Sequence, residues 1–175
     1  MTTTIWPSTT EEGARSGVRP RSADVHDHPH GRDDLAPVSD VSDAGWTRLV
    51  DEVRECGLYP TRAAAERVSR TVLSALGGQV TGEERDALAR ALPREAARLI
   101  ASQVPAAHPL TAAEFVDAVA ARTRSATPAT ARWDVSSVLG VLPKLVGDDL
   151  ATRVLSRLPS GYALLFVKAE LAPAS

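Results

Sequence analysis

A shift of 66 residues lays one half of this 175-residue chain over the other without a gap, and this self-similarity limits the fold more than any other feature. Leu49, Val50, Asp51 and Val53 fall on Phe115, Val116, Asp117 and Val119. Val72, Leu73, Leu76 and Val80 fall on Val138, Leu139, Leu142 and Val146, the pair Leu92-Pro93 on Leu158-Pro159, and Leu99 on Leu165. Matches among Ala and Leu are cheap in so biased a composition. A Val-Asp-x-Val string and a Leu-Pro pair in one register are not, so the sequence predicts an internal repeat.

Each repeat reads as four helices. In the first, Leu49, Val50 and Val53 share a face of a helix over 45–55 that ends near Gly57. Thr61 is placed to cap a second helix running to Leu76, with Ala65, Val68, Val72 and Leu76 at steps of three or four, and Gly77-Gly78 stops it. Thr81 and Glu84 have the capping-box spacing for a third helix with Ala87, Leu88 and Ala91, and Pro93 opens a fourth over 94–104 with Ala97, Leu99 and Ile100 inward. The second repeat carries its own signals: Thr111 with Glu114, Thr127 with Pro128 ahead of a long helix from Ala131 to Leu142, Asp148-Asp149 before Leu150, and Ser160 before Tyr162, Leu165, Phe166 and Ala169. No segment alternates with period two, so no strand is expected. The expectation is an all-α chain of two tandem four-helix units, 43–104 and 105–175, joined by a connector at about 103–110. Units of this size sit near the lower limit for folding alone, which predicts one shared core.

The remaining segment differs in kind. The first 44 residues hold four arginines and eight acids, a local net of −4, whereas the other 131 residues net +2, so the overall −2 is a cancellation. Residues 1–42 are rich in Ser, Thr, Pro and Gly, show no periodicity, and read as a disordered acidic tail. No basic start leads into an apolar core of the secretory type, and no stretch reaches the ~20 apolar residues of a membrane span, so the expected compartment is the cytoplasm. Only two of the 20 basic residues are Lys, a coding bias that suggests a GC-rich bacterium. One cysteine, Cys56, excludes a disulfide framework and any multi-Cys metal site.

The pattern has a family resemblance. The strings Leu49-Val50-Asp51-Glu52-Val53, Val72-Leu73-Ser74-Ala75-Leu76 and Leu92-Pro93 recur as Phe115-Val116-Asp117-Ala118-Val119, Val138-Leu139-Gly140-Val141-Leu142 and Leu158-Pro159. Over about 46–171 the chain resembles the bacterial family known as domain of unknown function 2267. The resemblance implies the helical fold and no activity, cofactor or catalytic residue. A polar residue usual before the Leu-Pro is here Ala91 in one copy and Arg157 in the other, which removes one candidate for a shared polar role.

Candidate chemistry is sparse. His26, His28 and His30, followed by Asp33 and Asp34, have donor atoms for Zn²⁺, Ni²⁺ or Cu²⁺, but i, i+2, i+4 spacing in an unstructured tail provides nothing to orient them, and a polar linker is the simpler account. Cys56 follows Arg54 and Glu55 at a helix C-terminus, where a thiolate is disfavoured, and reads as a small apolar residue. His108 reads as a connector residue facing solvent. Arg90, Arg94 and Arg98 step by four, though Pro93 interrupts them; with Arg62, Arg67, Arg70, Arg122, Arg124 and Arg132 they offer contacts to phosphates or a partner, or else form a solvated face with pairs such as Glu66–Arg70. Trp46, Trp133, Tyr162 and Phe166 complete a core of Ala, Val and Leu; Trp133, however, matches Arg67 in the repeat register, which suits a rim position and a partner anchor. Asp51 and Asp117 are acids at matching positions, most simply exposed equivalents. No phosphate loop, nucleophile elbow or His-Glu-x-x-His is present. The expected function is a non-enzymatic helical interaction or regulatory module, stress-associated, that docks a protein through a groove between helices. The alternative is a nucleic-acid-binding protein using Arg-bearing helix ends, and the third reading is an unrecognised enzyme. No cofactor, metal or membrane partner is expected.

Overall fold

The computed structural model describes residues 38–124 and 126–166. The described residues form helices without a strand, in the order α1 (Val38–Gly57), α2 (Arg62–Gly77), α3 (Gly82–Ala91), α4 (Arg94–Ala101), α5 (Ala112–Arg122), α6 (Pro128–Leu139), α7 (Leu142–Val146), α8 (Asp148–Arg157) and α9 (Ala163–Phe166). The boundaries follow the local chemistry. Thr61 Oγ1 accepts from Ala64 N at 3.2 Å, and Thr127 Oγ1 accepts from Thr130 N at 3.2 Å with Pro128 as the first helical residue. Thr111 and Glu114 close a full capping box: Thr111 Oγ1 accepts from Glu114 N at 3.3 Å, and Thr111 N donates to Glu114 Oε2 at 2.8 Å.

Several expected boundaries move, each for a visible reason. α1 begins at Val38, well before 45, because the run to Ala44 contains neither Pro nor Gly to stop it. Thr81 makes no side-chain cap on α3, and the Glu84 carboxylate expected to complete the box bonds Arg157 Nε of α8 at 3.2 Å. α4 is shorter than 94–104 and buries Ala96 with Ile100, in place of Ala97. The long helix expected through Leu142 ends at Leu139 and is capped by Gly140, and α7 follows as a separate turn. Pro143 explains the break: it has no N–H, and its ring would meet the carbonyl of Leu139 four residues back. The last helix is described only to Phe166, so Ala169, like the His26–His30 cluster and most of the acidic tail, lies outside the described residues.

The core is one hydrophobic cluster drawn from both halves of the sequence. It runs from Trp46, Leu49 and Val53 on α1, through Val72, Leu73 and Leu76 on α2, to Phe115, Val135, Leu139 and Tyr162. α2 and α6 sit at its centre: α2 packs on α1, α4, α5 and α6, and α6 packs on α1, α2, α5, α7 and α9. The Phe115 and Tyr162 rings tilt against each other with centroids 5.4 Å apart. Two buried hydroxyls satisfy themselves on their own helices, Ser69 donating to Ala65 O and Ser137 to Trp133 O, each at 2.8 Å.

The connector is tied down on both sides. Ala106 N donates to Gly78 O at 2.8 Å, Leu110 N to the Gln79 side-chain oxygen at 2.7 Å, and the Tyr162 hydroxyl to Leu110 O at 3.1 Å. Close by, a Cβ added to Gly77 would come within 2.7 Å of the Ile100 carbonyl oxygen, so the end of α2 approaches α4 as only glycine permits.

Candidate functional site

One groove is walled mainly by apolar side chains. α5, the start of α6 and α9 leave between them a groove of about 440 Å³, lined by Ala112, Val116, Pro128, Ala129, Gly161 and Leu165 among others. Its rim is formed by Leu164, 68% exposed on the four-residue α9, and by Asp117 and Arg132, neither of which forms an ion pair among the described residues. The local sequence explains the hollow. Alanines occupy the first two positions of α5, alanine follows Pro128 in α6, and Gly161, at φ +100, turns the chain into α9 without a side chain. Its neighbour Ala112 lies 3.2 Å from where a Cβ on Gly161 would stand. An apolar wall with a few polar groups at its edge is the usual form of a docking pocket.

On the α1–α2–α4 side of the molecule Trp46 fills the position that Ala112 holds at the groove. Trp46 is 7% exposed, its indole N–H donates to Glu66 Oε1 at 3.4 Å, and the Arg70 guanidinium carbon lies 5.1 Å from the ring centroid. Arg70 pairs with Glu66 at 2.8 Å and also with Glu95 from α4. The Arg70 hydrogen bond draws the Glu66 carboxyl below its ordinary range, and Glu66 in turn raises Arg70. The Glu66–Arg70 pair read from helical spacing is thus present, extended by a third partner.

A second, polar cleft of about 510 Å³ lies between α2, the end of α5 and α6. It gathers Arg67, Arg122 and Arg124, none of them ion-paired among the described residues, around Tyr59, Thr71, Thr123 and Asp134. The Tyr59 hydroxyl donates to Asp134 Oδ1 at 2.6 Å, and Asp134 is 6% exposed. Burial pushes the Asp134 carboxyl up, and the Tyr59 hydrogen bond holds it back. Burial, then the bond to Asp134, drives the Tyr59 phenol well above its ordinary range. This pair joins residues 75 positions apart, and sequence reasoning missed both members.

The site residues singled out from sequence do not converge. Arg90 ends α3 and faces a cleft with Glu83, Glu84, Asp86 and Arg153, where the acids offset its charge. Arg94 and Arg98 are exposed on α4, a separate helix from Arg90, so the three do not form one helical face. Of the two positions expected for Trp133, core and rim, the structure shows the rim: it is 47% exposed, and its indole N–H donates to Gly57 O at 2.9 Å. Trp46, Tyr162 and Phe166 are buried. Arg132 and Asp117, noted in passing, line the groove. Cys56 is half-buried in the last turn of α1, and His108 is exposed in the connector. Among the described residues no group of three His, Cys, Asp or Glu is placed to hold a metal, and no helix is long and apolar enough to cross a membrane.

Residues 46–165 match the family described as an uncharacterized conserved protein, DUF2267. No curated protein matches the chain.

Proposed function

The chain belongs to the uncharacterized conserved DUF2267 family, and on that premise we propose that it is a non-enzymatic helical interaction module, serving in the bacterial cytoplasm and built on a duplicated four-helix plan, that docks a protein segment in the α5–α6–α9 groove. The observation that carries this reading is the groove: an apolar hollow of about 440 Å³ with an exposed leucine at its rim and two charges that have no ion-pair partner among the described residues. Desolvating such a pocket yields most of its binding free energy from a few central contacts, while the charges at the edge select the partner and set register. Two other polar clusters are already engaged within the chain, Asp134 with Tyr59 and, at the surface, Arg70 with its two glutamates. The test is affinity capture from host lysate on the immobilised full chain and on Leu164→Asp and Ala113→Asp variants. A protein held by the wild type and lost by both variants is the expected result. An identical set of captured proteins on all three baits refutes the groove.

A second reading, binding of a polyanion, rests on the convergence of Arg67, Arg122 and Arg124 at one cleft, none of them ion-paired among the described residues. Phosphate contacts by arginine release counterions, so this reading requires affinity that falls steeply with salt. An electrophoretic shift assay at low salt with an Arg122→Ala/Arg124→Ala variant tests it. No shift by the wild type defeats it.

A further inference from the structure

The 66-residue register gives the groove a template. Moved along the chain by that step, the Trp46 cluster of Trp46, Glu66, Arg70 and Glu95 becomes Ala112, Arg132, Ser136 and Gly161. Three of these four, Ala112, Arg132 and Gly161, line the groove. The apolar walls correspond as well, since Val50 and Leu99 fall on Val116 and Leu165, which also line it. The surrounding helices pack alike: α1 lies on α2 and α2 on α4, while α5 lies on α6 and α6 on α9. The groove is therefore where an indole and two carboxylates stand in the other half and where the chain here supplies a methyl group, a guanidinium and a hydrogen.

One substitution in this set is a charge reversal rather than a deletion. Glu66 accepts from the edge of the Trp46 ring, and its counterpart Arg132 presents a cation with no ion-pair partner among the described residues. A guanidinium at that edge stacks on an aromatic face and pairs with a carboxylate, and it repels a basic segment. We propose, building on the docking reading above, that the groove is a slot for an aromatic side chain flanked by a carboxylate, presented by a protein partner. The partner's ring takes the place that Trp46 fills in the first half, and its acid meets Arg132.

Titration of the isotope-labelled full chain with three blocked dipeptides, Asp-Trp, Asn-Trp and Asp-Leu, tests this by amide chemical shifts. Asp-Trp should move the amides of Ala112, Ala113, Ala129 and Leu164, and bind roughly 3- to 10-fold tighter than either of the others, the scale of one aromatic contact or one exposed charge pair. Ala112→Trp should fill the slot from within and abolish those shifts; Ala112→Leu gives a second, smaller filling. Arg132→Gln should erase the preference for Asp-Trp over Asn-Trp. Equal binding of Asp-Leu overturns the aromatic slot while leaving a docking groove. No groove shift with any dipeptide overturns the slot as well, and the docking reading then falls separately if Leu164→Asp loses no captured protein. A wild-type dimer in sedimentation that Ala112→Trp converts to monomer assigns the groove to a second copy and also overturns the slot.

Discussion

Replacing Tyr59 with Phe removes one hydroxyl and keeps the ring, which isolates the hydrogen bond to Asp134. That bond is 2.6 Å long and its acceptor is 6% exposed, so water cannot readily replace the lost donor. With Asp134 ionised, the loss of a hydrogen bond to this buried acceptor costs about 1.5–3 kcal/mol. In a body of this size that lowers the melting temperature by roughly 5–12 °C. The pH dependence carries more information than the size. Burial raises the Asp134 pKa in the folded state above its unfolded value, so between the two values the folded chain holds a proton that the unfolded chain releases. Stability tied to this group is thus gained as pH falls through the folded pKa and lost as pH rises through the same window. The Tyr59 hydroxyl opposes the rise, so Tyr59→Phe pushes the folded value higher and widens the window. The cost of the substitution should therefore be greatest above the folded pKa of Asp134 and shrink towards the ~0.5–1.5 kcal/mol of a neutral bond as Asp134 becomes protonated. Urea unfolding at several pH values, for wild type, Tyr59→Phe, Asp134→Asn and the double variant, measures it. An equal or larger cost at acid pH refutes the reasoning, as does a cost whose pH dependence persists in the Asp134→Asn background.

Three further outcomes follow from the packing and the caps. Gly77→Ala should destabilise by more than ~2 kcal/mol, because its Cβ would stand 2.7 Å from the Ile100 carbonyl oxygen and 2.8 Å from the Ile100 Cα, both backbone atoms; thermal unfolding reads it. Thr111→Ala should cost about 1 kcal/mol through loss of the capping box, whereas Thr81→Ala, at a cap with no side-chain bond, should cost measurably less; paired urea midpoints distinguish them. Arg85→Ala should cost roughly 1.5–3 kcal/mol, since one guanidinium nitrogen caps the end of α4 by donating to the carbonyls of Ile100 and Gln103, and hydrogen exchange should show α4 opening first.

What the sequence made legible divides by range. Helix starts at Thr61, Thr111 and Thr127 were readable because a cap is decided within four residues, and the core faces of α1, α2 and α5 because period 3.6 is written in Leu49, Val53, Val72, Leu76, Phe115 and Val119. Where a distant residue competes, local rules failed. Glu84 was expected to close a cap on Thr81 but bonds Arg157, 73 residues away. The break at Gly140 was written in Pro143 and was overridden in the reading by the apolar register that continues to Leu142. Trp133 reads as core by hydrophobicity and as rim by its match to Arg67, and the structure decides for the rim, with its N–H on Gly57 O. Of the candidate site, only the idea of a groove between helices was accessible beforehand. Its walls come from α5, α6 and α9, and small residues such as Ala112 and Gly161 carry no chemical signal of their own. The signal that would have found them was the exchange of Trp46 for Ala112 in the 66-residue register.

The pinned connector has a consequence for how the chain can be divided. Residues from Pro105 to Pro109 are exposed, while the connector backbone is fastened by Ala106 to Gly78, Leu110 to Gln79, and Tyr162 to Leu110. The first half cannot cover its own apolar surface, because α2 packs on α5 and α6 and α1 packs on α6. A cut between Ala107 and His108 therefore severs one covalent bond and leaves the buried surface between the pieces unchanged. The two fragments, produced separately, become natural complements whose reassembly reports on that surface, a split-protein system already laid out by the fold.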